Sequence, residues 1–193
     1  MVIDIQNLPQ KSEASSRVIY ISGRNGDANT GLGGWIKEQC PGRIGLSINN
    51  KFLALDYEHQ TSKVSDLVKE FDSSGAVIIA NSYGAYLLLQ AILKIGDIAS
   101  RVILLSPVMG RGMLKSAMFM SRPPGEQKVV EAEKQGDVLA GMRVSVHVGE
   151  HDDSVNICDI SKRLGIVDIH VVPAAGHNLP SVYVQKIISP HLA

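Results

Sequence analysis

Short runs of β-branched and other apolar residues recur along this chain, and the intervals between them are long enough to hold helices. Most of these runs are nearly continuous in apolar residues, as is typical of parallel strands covered by helices on both faces. Parallel neighbours need a crossover of about a dozen or more residues, which the intervals supply. The pattern predicts a doubly wound α/β fold with a mostly parallel sheet of six to seven strands. The runs cover residues 17–22, 51–57, 76–82, 101–107, 143–149 and 166–172, and residues 2–5 add a candidate edge strand.

Helical segments are predicted between the strands. Gly96 and Gly165 stand where two of these helices are expected to end, a position that favours glycine. The predicted helices span residues 33–39, 62–71, 83–95, 154–164 and 181–188, and the charged stretch 126–134 also has helical character.

Composition limits the classes of partner. A chain of 193 residues with 45% hydrophobic content predicts a single domain over residues 1–193. Lysine plus arginine equals aspartate plus glutamate at 19 each, so no basic excess favours nucleic acid or anionic lipid. No export signal or apolar run of about 18 residues is found, and a soluble cytoplasmic protein is expected. Cys40 and Cys158 lack the spacing of a disulfide scaffold or a metal site, and we expect reduced thiols.

One interval is longer than a crossover requires. Residues 109–138 look like a small cap or lid inserted between two strands, and four of the six methionines fall in its first part. Methionine is a flexible apolar residue that adapts to variable partners, so Met113 and Met120 are candidate contacts to a bound small molecule. The alternative is that Met109, Met113 and Met120, spaced by 4 and 7 residues, form the buried stripe of a short helix.

Ser82 lies where a predicted strand passes directly into a predicted helix. Ala80 precedes it by two residues and Gly84 follows by two, which matches a relaxed GxSxG nucleophile elbow. Small flanking residues let the strand and helix approach closely while the serine hydroxyl is presented above the sheet. The alternative is an ordinary helix N-cap, because serine is favoured there.

A nucleophilic serine requires a base and an acid that orients it. Asp152 follows the strand 143–149, and Asp153 is its less well spaced rival. His177 lies in the loop after the last strand, flanked by small residues. The order Ser82, Asp152, His177 is the one found in α/β-hydrolase triads.

Nearly the whole chain from Arg17 onward resembles the α/β-hydrolase superfamily, through the order and spacing of the segments YISGR, LALDY, ANSYGA, VILLSP, GEHD and AAGH. In such enzymes the loop after the first core strand reads HG followed by an oxyanion donor, and here it reads Ser22-Gly23-Arg24. The resemblance implies that the backbone N–H groups of Arg24 and Tyr83 form the oxyanion hole. Asn81, where the superfamily often has histidine, is a further candidate substrate contact.

The resemblance implies a serine hydrolase that cleaves an ester, thioester or related acyl bond of a small soluble substrate. No cofactor and no metal are expected. A hydrolase-like fold that has become a non-catalytic binding protein is the main alternative, because a fold does not establish turnover. A nucleotide-binding Rossmann protein is disfavoured, since the glycines at 23–26 and 31–34 do not fit GxGxxG and no Walker sequence occurs.

Overall fold

The fold is built on one parallel sheet. A computed structural model describes residues 18–110 and 123–192, and in them six strands lie in the order β2-β1-β3-β4-β5-β6. Every neighbouring pair is parallel, which confirms the predicted doubly wound fold. The strands are β1 (Val18–Ile21), β2 (Ile44–Leu46), β3 (Val77–Asn81), β4 (Arg101–Leu105), β5 (Val144–Gly149) and β6 (Asp168–Val172).

Helices connect the strands and cover both faces of the sheet. Helices α3 to α6 contribute to the core on one face, and α1 and α7 contribute to the core on the other. The helices are α1 (Gly31–Gln39), α2 (Asn50–Leu53), α3 (Tyr57–Phe71), α4 (Tyr83–Ile95), α5 (Glu126–Gln135), α6 (Ser154–Arg163) and α7 (Ser181–Ile188), followed by a 3-10 turn at Ser189–His191. No helix in the described part of the chain is both long and apolar enough to span a bilayer.

Alternation along the strands divides the apolar residues between the two cores. In β1, Ile19 and Ile21 face the larger core, whereas Val18 and Tyr20 face the smaller one. All four are at most 4% exposed. This burial on both faces explains why the strands read as continuous apolar runs in the sequence.

The predicted strand over residues 51–57 is wrong. Two helix caps break that apolar run: Asn49 Oδ1 accepts the backbone N–H of Phe52, and Asp56 Oδ1 accepts that of His59. The first cap begins α2 and the second begins α3, so local hydrogen bonds override the apolar pattern. The strand that pairs with β1 at this end of the sheet is β2, which was not predicted. It has three residues and a central glycine.

The described ends of the predicted 109–138 insertion pack on the main core. Met109 is 2% exposed and belongs to the larger core, and α5 buries Val129 and Ala132 against it. Met113 and Met120 lie outside the described residues, as does the candidate strand at 2–5. The lid therefore stays a prediction.

Candidate active site

Ser82 occupies a sharp turn between β3 and α4. Its backbone has φ 51° and ψ −118°, a conformation that a residue with a side chain adopts at a cost of about 1–3 kcal/mol. Its backbone N–H donates to the Leu105 carbonyl at 2.9 Å, which ties the turn to the end of β4. Although Ser82 stands at the N-cap position of α4, its hydroxyl makes no capping hydrogen bond. The hydroxyl is instead directed to a histidine.

Close contacts explain the glycine at 84, just after this turn, and the glycine at 23, in the loop that packs against it. A Cβ at Gly84 would lie 2.2 Å from the carbonyl oxygen of Ser22. A Cβ at Gly23 would lie 3.3 Å from both Ser82 Cβ and Asn81 Nδ2. The loop after β1 therefore lies directly against the serine, and side chains at these two positions would push the loop away from it.

His177 and Asp152 continue the hydrogen-bonded chain that begins at Ser82. His177 Nε2 lies 2.8 Å from Ser82 Oγ, and His177 Nδ1 lies 2.9 Å from Asp152 Oδ2. The Asp152 side chain is 9% exposed and that of His177 is 39% exposed. The buried carboxylate fixes the imidazole so that Nε2 faces the serine. The rival acid Asp153 instead accepts a hydrogen bond from Asn156 Nδ2 at 2.9 Å.

Hydrogen bonds hold the aspartate and histidine loops together. The His151 N–H donates to the Ala175 carbonyl at 2.8 Å, and the Ala174 N–H donates to Glu150 Oε2 at the same distance. These bonds link the loop after β5 to the loop after β6. The positions of Asp152 and His177 are therefore set by one structural unit.

Of the two residues expected to form the oxyanion hole, Tyr83 follows Ser82 directly and Arg24 lies against the Tyr83 ring. Tyr83 is the first residue of α4, and the first N–H groups of a helix have no acceptor within it. The Tyr83 hydroxyl donates to Gln60 Oε1 at 2.9 Å, and burial raises the pKa of this phenol. The Arg24 guanidinium carbon lies 5.9 Å from the centroid of the Tyr83 ring. The loop after β1 and the start of α4 are thus in contact beside the serine.

Sequence reasoning missed the residue that anchors this loop. Ser22 Oγ accepts the backbone N–H of Ile48 at 2.9 Å, and the Ser22 N–H donates to the Leu46 carbonyl at 3.0 Å. Ser22 is 2% exposed and occupies the place where superfamily members often have histidine. In the sequence Ser22 stood out only as a departure from HG, because β2, which contains Leu46 and ends two residues before Ile48, was not predicted.

The structure describes some of the remaining candidate residues and not others. Asn81 is half-buried with its side-chain amide against Gly23, and Met113 and Met120 lie outside the described residues. Asp56, which lies in the wrongly predicted strand 51–57, caps α3, and hydrogen bonds from His59 lower the pKa of its carboxyl group. Within residues 18–110 and 123–192 there is no cluster of three or more potential metal ligands of the His, Cys, Asp or Glu type.

Comparison with solved structures identifies the architecture. Est1E from Butyrivibrio proteoclasticus matches with a TM-score of 0.64 and 13% identity, over 94% of this chain and 88% of that one. A monoacylglycerol lipase from Paleococcus ferrophilus matches with a TM-score of 0.62 and 12% identity, over 91% and 93%. The chain has the α/β-hydrolase fold. This confirms the fold that the sequence resemblance implied.

A third match is the fluorophosphonate-binding serine hydrolase FphF from Staphylococcus aureus. Its TM-score is 0.59 at 14% identity, over 100% of this chain and 89% of the other. No family profile and no curated protein sequence matches the chain. At these identities the likeness concerns the α/β-hydrolase fold, so a function must be argued from the site itself.

Proposed function

We propose that this α/β-hydrolase-fold protein is a serine hydrolase that cleaves an ester, thioester or related acyl bond of a small substrate. The observation that carries the proposal is the continuous hydrogen-bonded chain from Ser82 through His177 to Asp152, on a strained turn between β3 and α4. An ordinary helix cap would direct its hydroxyl to the helix backbone instead.

The geometry supports a two-step acyl transfer. Ser82 Oγ attacks the acyl carbon while His177 Nε2 takes its proton, and the Asp152 carboxylate stabilises the resulting imidazolium. The carbonyl oxygen gains negative charge, which the backbone N–H groups of Arg24 and Tyr83 stabilise. His177 then returns the proton to the leaving group, which departs as an alcohol, thiol or amine. Water, activated by the same imidazole, releases the acid and restores Ser82.

The structural neighbours support the same reaction class. They include a monoacylglycerol lipase and a fluorophosphonate-binding serine hydrolase, each covered over most of its length. Fluorophosphonates react with activated serines, so they are the appropriate probe for this chain. A panel of aryl esters, acyl thioesters and aminoacyl amides would then define the preferred leaving group.

The test is covalent labelling of the purified protein followed by intact-mass measurement. The wild-type chain is expected to gain one phosphonyl group, and Ser82→Ala is expected to gain none while it melts normally. His177→Ala should label at least about 100-fold more slowly, because the general base is gone. His151→Ala, which changes an exposed histidine next to Asp152, is the matched control and should label like the wild type. A wild-type chain that resists the probe would favour the non-catalytic binding protein.

We further propose that the segment 109–138 shapes the acyl pocket. The described part places α5 and Met109 on the core, so the segment is fixed at both of its ends. A short connection implies a shallow pocket that favours small or medium acyl groups. Met113→Ala or Met120→Ala should then change the relative kcat/KM for short and medium chains by about 1–3 kcal/mol. Variants that melt at lower temperature with an unchanged chain-length profile would place these methionines in the core.

A further inference from the structure

The outer edge of β6 is exposed. β6 ends the sheet order, and no strand among the described residues pairs with its outer side. A free edge presents unpaired backbone N–H and C=O groups, and a second strand can bind to them. Lysine and proline, which commonly protect such edges, are absent from residues 167–171, and residues 168–172 pair with β5 without a bulge.

Two exposed apolar side chains lie along this edge. Four large apolar residues are exposed in the described part of the chain. Two of them belong to this edge: Val167 directly precedes β6, and Val171 is on it. The other two are Val155 on α6 and Val182 on α7. Val167 is 95% exposed. Val167 and Val171 thus add apolar side chains to an unpaired backbone edge.

The backbone direction along β6 is defined by its contact with β5. The Glu150 N–H donates to the Val172 carbonyl at 3.0 Å, so the carbonyl of Val172 faces β5. Hydrogen-bonding direction alternates along a strand. The N–H and C=O groups of Val167, Ile169 and Val171 therefore point outward.

The residues along this edge read Val167-Asp168-Ile169-His170-Val171, an arrangement that is symmetric about Ile169 in polarity, with a carboxylate at 168 and an imidazole at 170. We propose that a second copy of this chain binds here, with the two β6 strands antiparallel and Ile169 opposite Ile169 on a twofold axis. Val167 of each copy then lies opposite Val171 of the other. Each of these opposed pairs brings outward-facing backbone groups together, as an antiparallel ladder requires.

The side chains at 168 and 170 favour the register centred on Ile169 over the registers centred on either of them. The outward-facing backbone groups of the two strands meet only when some residue lies opposite its own copy, with the twofold axis between them. Centring on Asp168 places two carboxylates directly opposite, and centring on His170 places two imidazoles opposite. Centring on Ile169 places each Asp168 opposite a His170, in the closely spaced non-hydrogen-bonded positions, where an imidazole N–H can donate to the carboxylate. Within one chain these two side chains already lie 2.7 Å apart, so four groups would form one alternating cluster.

Sedimentation equilibrium of the full-length protein tests the association. From about 1 to 300 µM, the average mass is expected to rise from 20.8 kDa toward twice that value. Val167→Pro removes an outward N–H at the edge and should keep the protein monomeric throughout this range. A mass of one chain at the highest wild-type concentration would overturn the proposal.

Paired charge variants test the register. Asp168→Lys places lysine opposite His170, and His170→Glu places glutamate opposite Asp168, so each variant alone should be monomeric. An equimolar mixture should form a heterodimer. On one side of the axis the introduced lysine then faces the introduced glutamate, and on the other side the native His170 of the first variant faces the native Asp168 of the second. This rescue requires two chains, so the contact within one chain cannot produce it.

Asp66→Lys is the matched control for Asp168→Lys. It makes the same charge change at an exposed position of α3, away from the edge. It should dimerise like the wild type. Melting curves of all variants establish that the monomeric ones are folded. Dimers that persist in both single variants, or a mixture that stays monomeric, would place any association elsewhere and overturn the proposal.

Discussion

Gly149, the last residue of β5, lies directly against the carbonyl oxygen of Gly176, the residue before His177. A Cβ at position 149 would lie 2.2 Å from that oxygen and 2.4 Å from the Ala175 carbonyl oxygen. Neither distance is possible without movement of the backbone. Position 149 thus controls the separation of the loops that carry the acid and the base.

We predict that Gly149→Ala moves these two loops apart and weakens the hydrogen bond between Asp152 and His177. Displacement by about 1 Å typically costs about 100-fold in rate, and a loss of this order in kcat/KM is expected. Gly75→Ala is the control, because nothing lies within 4 Å of the added methyl group. Steady-state kinetics with an aryl ester and thermal melting separate a local change from general unfolding. Wild-type kinetics in Gly149→Ala would contradict this assignment.

A second prediction concerns Ser22. Ser22→Ala removes the acceptor for the Ile48 N–H, which leaves a buried donor unsatisfied at a cost of about 1–3 kcal/mol. Because the loop carries an expected oxyanion donor, kcat should fall by about tenfold or more while KM changes little. Ser161→Ala removes another buried serine hydroxyl, bonded to the Ile157 carbonyl on α6, and should lower stability without changing kcat. Equal kinetic effects in both variants would show that Ser22 is only structural.

Sequence patterns predicted the parts of this protein that depend on local or periodic signals. The β3–α4 turn at Ser82 was found because strand, small residue, serine, glycine and helix are contiguous. Strand β2 was missed because Ile44–Leu46 is too short for a periodic signal and Gly45 has low strand propensity. The role of Ser22 was missed for the same reason, since its partner Ile48 follows that strand. Contacts such as Gly149 with Gly176 depend on tertiary structure and leave no local signal.

The third prediction concerns the dependence of stability on pH. His147 is buried between Tyr183 and His170: its Nδ1 lies 2.8 Å from the Tyr183 hydroxyl, and its ring stacks on that of His170 at 4.6 Å. Burial, with a smaller effect from His170, lowers the pKa of His147 to about 4 from 6.5. The unfolded chain therefore binds a proton that the folded chain excludes between these pH values.

Stability should be unaffected by His147 above about pH 6.5 and should fall as the pH decreases toward about 4. The full difference corresponds to at most about 3 kcal/mol. His147→Gln should flatten this part of the stability curve, whereas His151→Gln, an exposed histidine, should not. Urea unfolding at pH 4.5, 5.5 and 7 measures the slope. An unchanged slope in His147→Gln would assign the acid sensitivity to other groups.

The last prediction concerns Tyr86 and the connection that follows residues 111–122. The Tyr86 hydroxyl donates to the Pro124 carbonyl at 2.7 Å, and Gln90 Nε2 donates to the Gly125 carbonyl at 3.2 Å, so α4 holds the start of α5 in place. Tyr86→Phe removes the first bond and should lower stability by about 1 kcal/mol. If the segment 109–138 shapes the acyl pocket, this variant should also change the ratio of kcat/KM between short and medium acyl chains, while fluorophosphonate labelling of Ser82 stays at the wild-type rate. Tyr183→Phe deletes a hydroxyl bonded to His147 and serves as the control for stability alone. The same chain-length ratio in wild type and Tyr86→Phe would separate this connection from substrate selection and leave it a purely structural role.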